Sequence, residues 1–180
     1  MNHIKLLILF SSLCCLSLHC KKESEEDKLP SVTNWGANTF GCLMNGKAWP
    51  MGRSGNLAPF YVTYWNEELV IQYTIYDDPM FTSIKERMVI IAKKINNVGE
   101  HFILFNDLNN GQFSARFNEQ FYNSGYFTNY SGYASLNISR LDTTGPVRVV
   151  AGTFNFSLFD ESGHSKLNVT KGRFDLVHYP

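Results

Sequence analysis

The chain has 180 residues, a single-domain length. Its hydrophobic share of 44% and aromatic share of 14% are too high for a disordered chain, and only 18% of its residues are charged. Sixteen Lys+Arg balance sixteen Asp+Glu, which excludes the basic field that a nucleic-acid partner requires.

The chain opens on a weakly basic start, Met1 to His3 and then Lys5, and an apolar stretch runs from Ile4 to Leu18 with serines and cysteines interspersed. Counted even to Cys20, it falls short of the roughly 20 apolar residues a spanning helix needs, so it reads as a secretory signal. Cys20 is followed at once by Lys21-Lys22-Glu23-Ser24-Glu25-Glu26-Asp27-Lys28. This arrangement resembles the bacterial lipoprotein signal, in which the chain is cut before a cysteine that is then acylated. Ser17 and His19 stand where that signal usually has Leu and a small residue, and Cys14 and Cys15 are rival acceptors. Cutting at either would leave Leu16 and Leu18 in water, which favours Cys20.

The resemblance implies attachment to a membrane through acyl chains, each buried CH₂ contributing about 0.8 kcal/mol, and a place at the outer membrane or cell surface. Glu25-Glu26-Asp27 stand where such lipoproteins of Bacteroidota carry a surface-export mark. The expected organisation is a signal peptide over 1–19, a lipid-anchored charged tether over 20–29 and a β domain over 30–180, with residues 21–28 a solvated linker. The domain then keeps one thiol, Cys42, read as a small buried hydrophobe and not as a nucleophile. Signal and tether carry four basic and four acidic residues, so the domain holds twelve of each and is neutral.

From Ser31 onward the pattern has period two. Phe40, Cys42 and Met44 lead to Asn45-Gly46 and then Lys47-Ala48-Trp49, the signature of a hairpin with a type I′ turn. Phe60 to Trp65 and Leu69 to Tyr76 form a second hairpin around Asn66-Glu67-Glu68. Ser83 to Lys94 is the one stretch compatible with a helix, but Met88-Val89-Ile90-Ile91 favours a strand by β-branching. Strands follow at Met88–Ile95, His101–Phe105, Gln112–Phe117, Tyr133–Leu141 and Val147–Phe159, the last bent at Gly152. Leu167–Lys171 and the run from Gly172 to Tyr179 close the chain. Nine or ten short strands predict an all-β domain, an antiparallel sandwich or a flattened, lipocalin-like barrel.

Three segments, Asn38-Thr39-Phe40-Gly41-Cys42-Leu43-Met44-Asn45-Gly46, Gly152-Thr153-Phe154-Asn155-Phe156 and Gly172-Arg173-Phe174-Asp175, resemble a family of uncharacterised Bacteroidota lipoproteins with an N-T-F-G-C-x-V-N-G opening and a G-T-F-x-F … G-R-F-D close. That family lends no activity. Strand alternation puts Phe154 and Phe156 in the core and Arg173 with Asp175 on one side, able to pair with each other or with neighbours.

His101, His164 and His178 show no metal-ligand spacing, and no nucleophile elbow, dinucleotide fingerprint or P-loop is present. No cofactor and no enzymatic activity are expected. Asn129, Asn137, Asn155 and Asn168 head N-glycosylation sequons that read as chance, while Asp142-Thr143-Thr144 resembles a Bacteroidota O-glycosylation signal. Phe121 to Tyr133 interleaves six aromatics with Asn, Ser and Gly. Tyr122, Tyr126 and Tyr130 are therefore the candidate residues for a neutral glycan or small apolar ligand, the alternative being an aromatic cover over the core. The reading is a lipid-anchored, non-catalytic structural or accessory protein, with such a binding module as the alternative.

Overall fold

The computed structural model describes residues 23–50, 60–76, 84–104, 113–119, 125–127, 133–160 and 162–179. Eleven strands run through them: β1 (Thr39–Met44), β2 (Lys47–Trp49), β3 (Phe60–Trp65), β4 (Glu68–Tyr76), β5 (Ile84–Ala92), β6 (Gly99–Leu104), β7 (Phe113–Glu119), β8 (Gly125–Phe127), β9 (Tyr133–Leu141), β10 (Arg148–Phe159) and β11 (Lys166–His178). Every pairing is antiparallel. A single 3-10 turn at Glu26–Lys28 is the only helical element among the described residues. The domain is all-β, as expected.

The strands form a two-layered sandwich. One layer follows the order β2-β1-β11-β10-β9-β6 and the other β7-β5-β4-β3, with short β8 joining β7 to the end of β10. β10 can serve both layers because it is long: Val150–Asn155 pairs with β9, whereas Phe159 pairs with β8. Inward residues alternate with outward ones, so that Leu69, Ile71 and Tyr73, then Met88, Ile90 and Ala92, then Phe154, Phe156 and Leu158 are all buried. The layers meet ring on ring. Phe40 stacks on Tyr73 at 5.5 Å, and Trp49 stands edge-on to Tyr73 at 5.3 Å and to Phe117 at 5.6 Å. Such pairs contribute about 0.5–1.5 kcal/mol each beyond the area they bury. Cys42 lies inside this core, where burial pushes its thiol pKa well up and keeps it a small hydrophobe.

The turns follow from backbone sterics. Asn45 and Gly46 have φ of 48° and 80°, the two positive values a type I′ hairpin requires. The second hairpin is tighter than its sequence suggests: Asn66 and Glu67 alone form the turn, and Glu68 enters β4 opposite Trp65. The final strand differs more. Leu167–Lys171 and Gly172–Tyr179 are expected as separate runs, yet β11 is continuous through a bulge at Lys171, whose φ is 53°. The extra residue shows in both neighbours, where Phe154↔Gly172 is followed by Phe156↔Val169, and Gly41↔Arg173 by Leu43↔Thr170. The displaced Lys171 N–H donates to Asn155 Oδ1 at 2.9 Å, which gives the Asn of the G-T-F-N-F motif a structural task.

The linker expected over 21–28 is solvated in its described part, with Glu23, Ser24 and Glu26 to Lys28 exposed, but it is not free chain. Ser24 and Asp27 exchange hydrogen bonds around the 3-10 turn, and Leu29 is buried against the sheet. Charge content alone suggested free chain; specific partners on β2 and β11 hold it down instead.

Candidate functional site: a clasped face and a bare face

The two late motifs lie side by side in the six-stranded layer. Register sets Gly152 opposite Phe174 and Phe154 opposite Gly172. A Cβ on Gly172 would stand 2.3 Å from ring atoms of Phe154, and one on Gly152 would stand 2.2 Å from the Asn137 carbonyl oxygen and 2.9 Å from the Phe174 ring. Each glycine is required by space, because each faces a ring or a backbone that occupies the position of its missing side chain. The β9 register shifts between Ala151 and Gly152, where Arg140 is followed by Ile138, so the extra residue is Ser139 of β9.

Arg173 and Asp175 project from the outer face of β11 and find their partners on the N-terminal segment. Asp175 is fully buried and accepts hydrogen bonds from Gly36 N at 2.8 Å, Ala37 N at 3.0 Å and Trp35 N at 3.2 Å. Burial pushes its pKa up, but the backbone donors on Ala37, Gly36 and Trp35 together outweigh burial and hold the carboxyl below its ordinary value. Three successive N–H groups turned on one carboxylate form an anion nest made by the chain for itself. Around it, Arg140 donates to the Asn34 carbonyl at 3.0 Å while pairing with Asp142 at 2.8 Å. Asn38 Oδ1 accepts Val177 N at 2.9 Å.

The earlier part of the same segment is fastened separately. Glu25 pairs with Lys28 and accepts the Ala48 N–H of edge strand β2 at 2.9 Å. Glu26 lies 3.4 Å from Arg173 and 3.5 Å from Lys171, and Arg173 also donates to the Pro30 carbonyl at 2.8 Å. Residues 24–38 thus form a strap across the outer face of β1, β11 and β9. Its chemistry is retention: the Asp175 carboxylate is fully buried and turned onto three backbone donors of its own chain.

The outer face of the other layer has no such cover among the described residues. Tyr61, Thr63 and Trp65 alternate outward along β3, with Tyr61 56% and Trp65 81% exposed. Gln72 and Val70 lie opposite Tyr61 and Thr63, and Glu68 pairs with Lys93 at 3.5 Å beside Trp65. Sequence reasoning placed its ligand candidates elsewhere. Tyr126 sits in β8 opposite Phe117, half-buried and packed against the core; Tyr122, Tyr130 and Cys20 lie outside the described residues. An F-Y-V-T-Y-W strand, apolar on both faces, gives no signal of which side turns to water.

No helix among the described residues is long and apolar enough to cross a membrane, and no three of their His, Cys, Asp and Glu side chains gather as a metal site would require. No family model, curated protein or solved structure matches the chain.

Proposed function

We propose that this protein is a lipid-anchored, non-catalytic component of the bacterial cell envelope, acylated at Cys20, exposed at the outer membrane or cell surface, and a member of the Bacteroidota lipoprotein family its motifs resemble. The observation that supports a structural or accessory role is the use made of the motif residues. Gly152 and Gly172 accommodate rings, Asn155 satisfies a bulge, and Arg173 and Asp175 hold the strap. Each is engaged within the chain itself. The anchoring rests on the N-terminal sequence, and metabolic labelling with an alkyne fatty acid tests it. Wild type is expected to incorporate label and sediment with membranes, and Cys20→Ser to lose both. A Cys20→Ser protein that stays labelled moves the site to Cys14 or Cys15, and an unlabelled wild type overturns the reading.

A second reading, a module for a neutral glycan or small apolar ligand, is supported by the bare aromatic face of β3. Rings fill the interior between the layers, so this reading places the ligand on the surface, where Tyr61 and Trp65 offer ring faces beside Thr63 and Gln72.

A further inference from the structure

From the way the strap is fastened, we infer that the lipid anchor holds the sandwich in a fixed pose, with the corner formed by β2 and the Asn45-Gly46 turn against the bilayer and the opposite end pointing away. This rests on acylation at Cys20, as proposed above. Three residues, Lys21, Lys22 and Glu23, separate Cys20 from Ser24. Four residue steps of fully extended chain span at most about 14 Å. From Glu25 onward the chain is held to the fold, with Ser24 bonded locally to Asp27: Glu25 to Ala48 on β2, Glu26 to Lys171 and Arg173, and Leu29 with Pro30 against Gly41.

The exit point therefore lies beside the short edge strand β2, near the Asn45-Gly46 turn, and a flexible tether of tens of ångströms is not on hand to randomise orientation. The surface at this corner suits contact with headgroups and not insertion: Lys28, Lys47 and Lys171 are exposed there, interspersed with Glu25 and Glu26. The opposite end is well separated. Leu43, the β1 partner of Ala48, pairs with Thr170 of β11, and the eight residues from there to His178 carry β11 roughly 26 Å farther at ~3.3 Å per residue. At that end Val147 and Tyr179 flank the Arg148↔His178 pair and are 52% and 71% exposed, so these two apolar side chains point away from the membrane in this pose.

The test uses the acylated, full-length protein in phosphatidylethanolamine–phosphatidylglycerol vesicles that carry a headgroup quencher. Lys47→Cys and Val147→Cys are each labelled with a fluorophore, Cys42 being buried and unreactive. The expected result is several-fold stronger quenching at position 47 than at 147. Inserting ten Gly/Ser residues between Glu23 and Ser24 is expected to remove that difference while leaving the protein on the vesicles. Co-flotation with equal quenching at both positions, or a difference that survives the insertion, overturns the fixed pose and leaves the anchoring reading standing. Failure of the wild-type protein to float with vesicles overturns the anchoring reading, and the pose with it.

Discussion

Over the six-stranded layer, residues 24–38 lie across the sheet and turn their backbone N–H groups onto the Asp175 carboxylate; over the four-stranded layer, Tyr61 and Trp65 stand in solvent. The two outer faces differ in what completes them. On the first, charged and polar groups are saturated by the chain, so their loss should register as lost stability. On the second, the large groups are apolar and meet water, so their loss should leave stability alone. The contrast separates residues that build the protein from residues free to meet something else, and it can be broken by mutation.

The largest effects belong to the glycine–phenylalanine seam beneath the strap. Gly152→Ala drives a Cβ to 2.2 Å from the Asn137 carbonyl oxygen, a backbone atom that can yield only by shifting β9. Overpacking typically costs 1–3 kcal/mol, and a backbone clash places this variant at or above about 3 kcal/mol. Gly172→Ala meets the buried Phe154 ring and is expected to cost about 2–3 kcal/mol. Urea unfolding followed by tryptophan fluorescence measures both. A loss below about 1 kcal/mol in either would show that the rings have room to move.

Next comes the clasp. Asp175→Ala removes the acceptor of three N–H groups, each costing about 1–3 kcal/mol if left buried and unpaired. Release of the strap into water limits the total to about 2–3 kcal/mol. Amide exchange at Trp35, Gly36 and Ala37 should rise far more than exchange in β4 or β5. The same carboxylate gives a pH signature. Its folded pKa lies below the unfolded value of about 3.9, so the unfolded chain binds more protons as acid is added. The contribution is complete above about pH 4 and is lost as pH falls through the lower folded value. Asp175→Asn should therefore be less stable than wild type at pH 7, with the difference shrinking on acidification below pH 4. A constant difference across that range would mean that the carboxylate's charge contributes nothing. Asp160, held down to about 2 by Ser162 and by donors on Ser165 and His164, remains in the variant as an internal control in the same acid range.

How much of this could be read from the sequence differs between the two faces for physical reasons. Asn45-Gly46 announced its hairpin because few residue pairs tolerate two positive φ values. Gly152, read as a bend, is instead required by the close approach of the Asn137 carbonyl and the Phe174 ring. The period-two runs identified an antiparallel all-β domain and its core, since alternation fixes which residues face inward, but left sandwich and flattened barrel both open. The strap was hidden because Glu25 and Glu26 have the composition of solvated chain, and their partners stand far along the sequence. Arg173, for one, is 147 residues from Glu26. The continuity of β11 was hidden too, since nothing in Lys171 signals a left-handed backbone. On β3, apolar residues at both parities left the outward side undetermined, so attention went to the Tyr122–Tyr130 segment and not to Tyr61 and Trp65.

The smallest expected effect on stability is at the bare face, and it is the sharpest test of the comparison. Tyr61→Ala with Trp65→Ala removes two rings that are mostly in water, so each substitution should change stability by no more than about 0.5 kcal/mol. The two residues lie four apart on one strand, a separation of roughly 13 Å at 3.3 Å per residue, so an extended ligand could touch both. Binding through such ring faces depends on apolar contact and not on charge, so it should change little between low and moderate salt. If the glycan reading holds, wild type retains a neutral oligosaccharide on an affinity column and the double variant loses it with an unchanged unfolding midpoint. A midpoint that falls as far as that of Asp175→Ala would make these rings part of the scaffold after all. Retention by both proteins would move the ligand off this face, with Tyr126→Ala the next variant to compare.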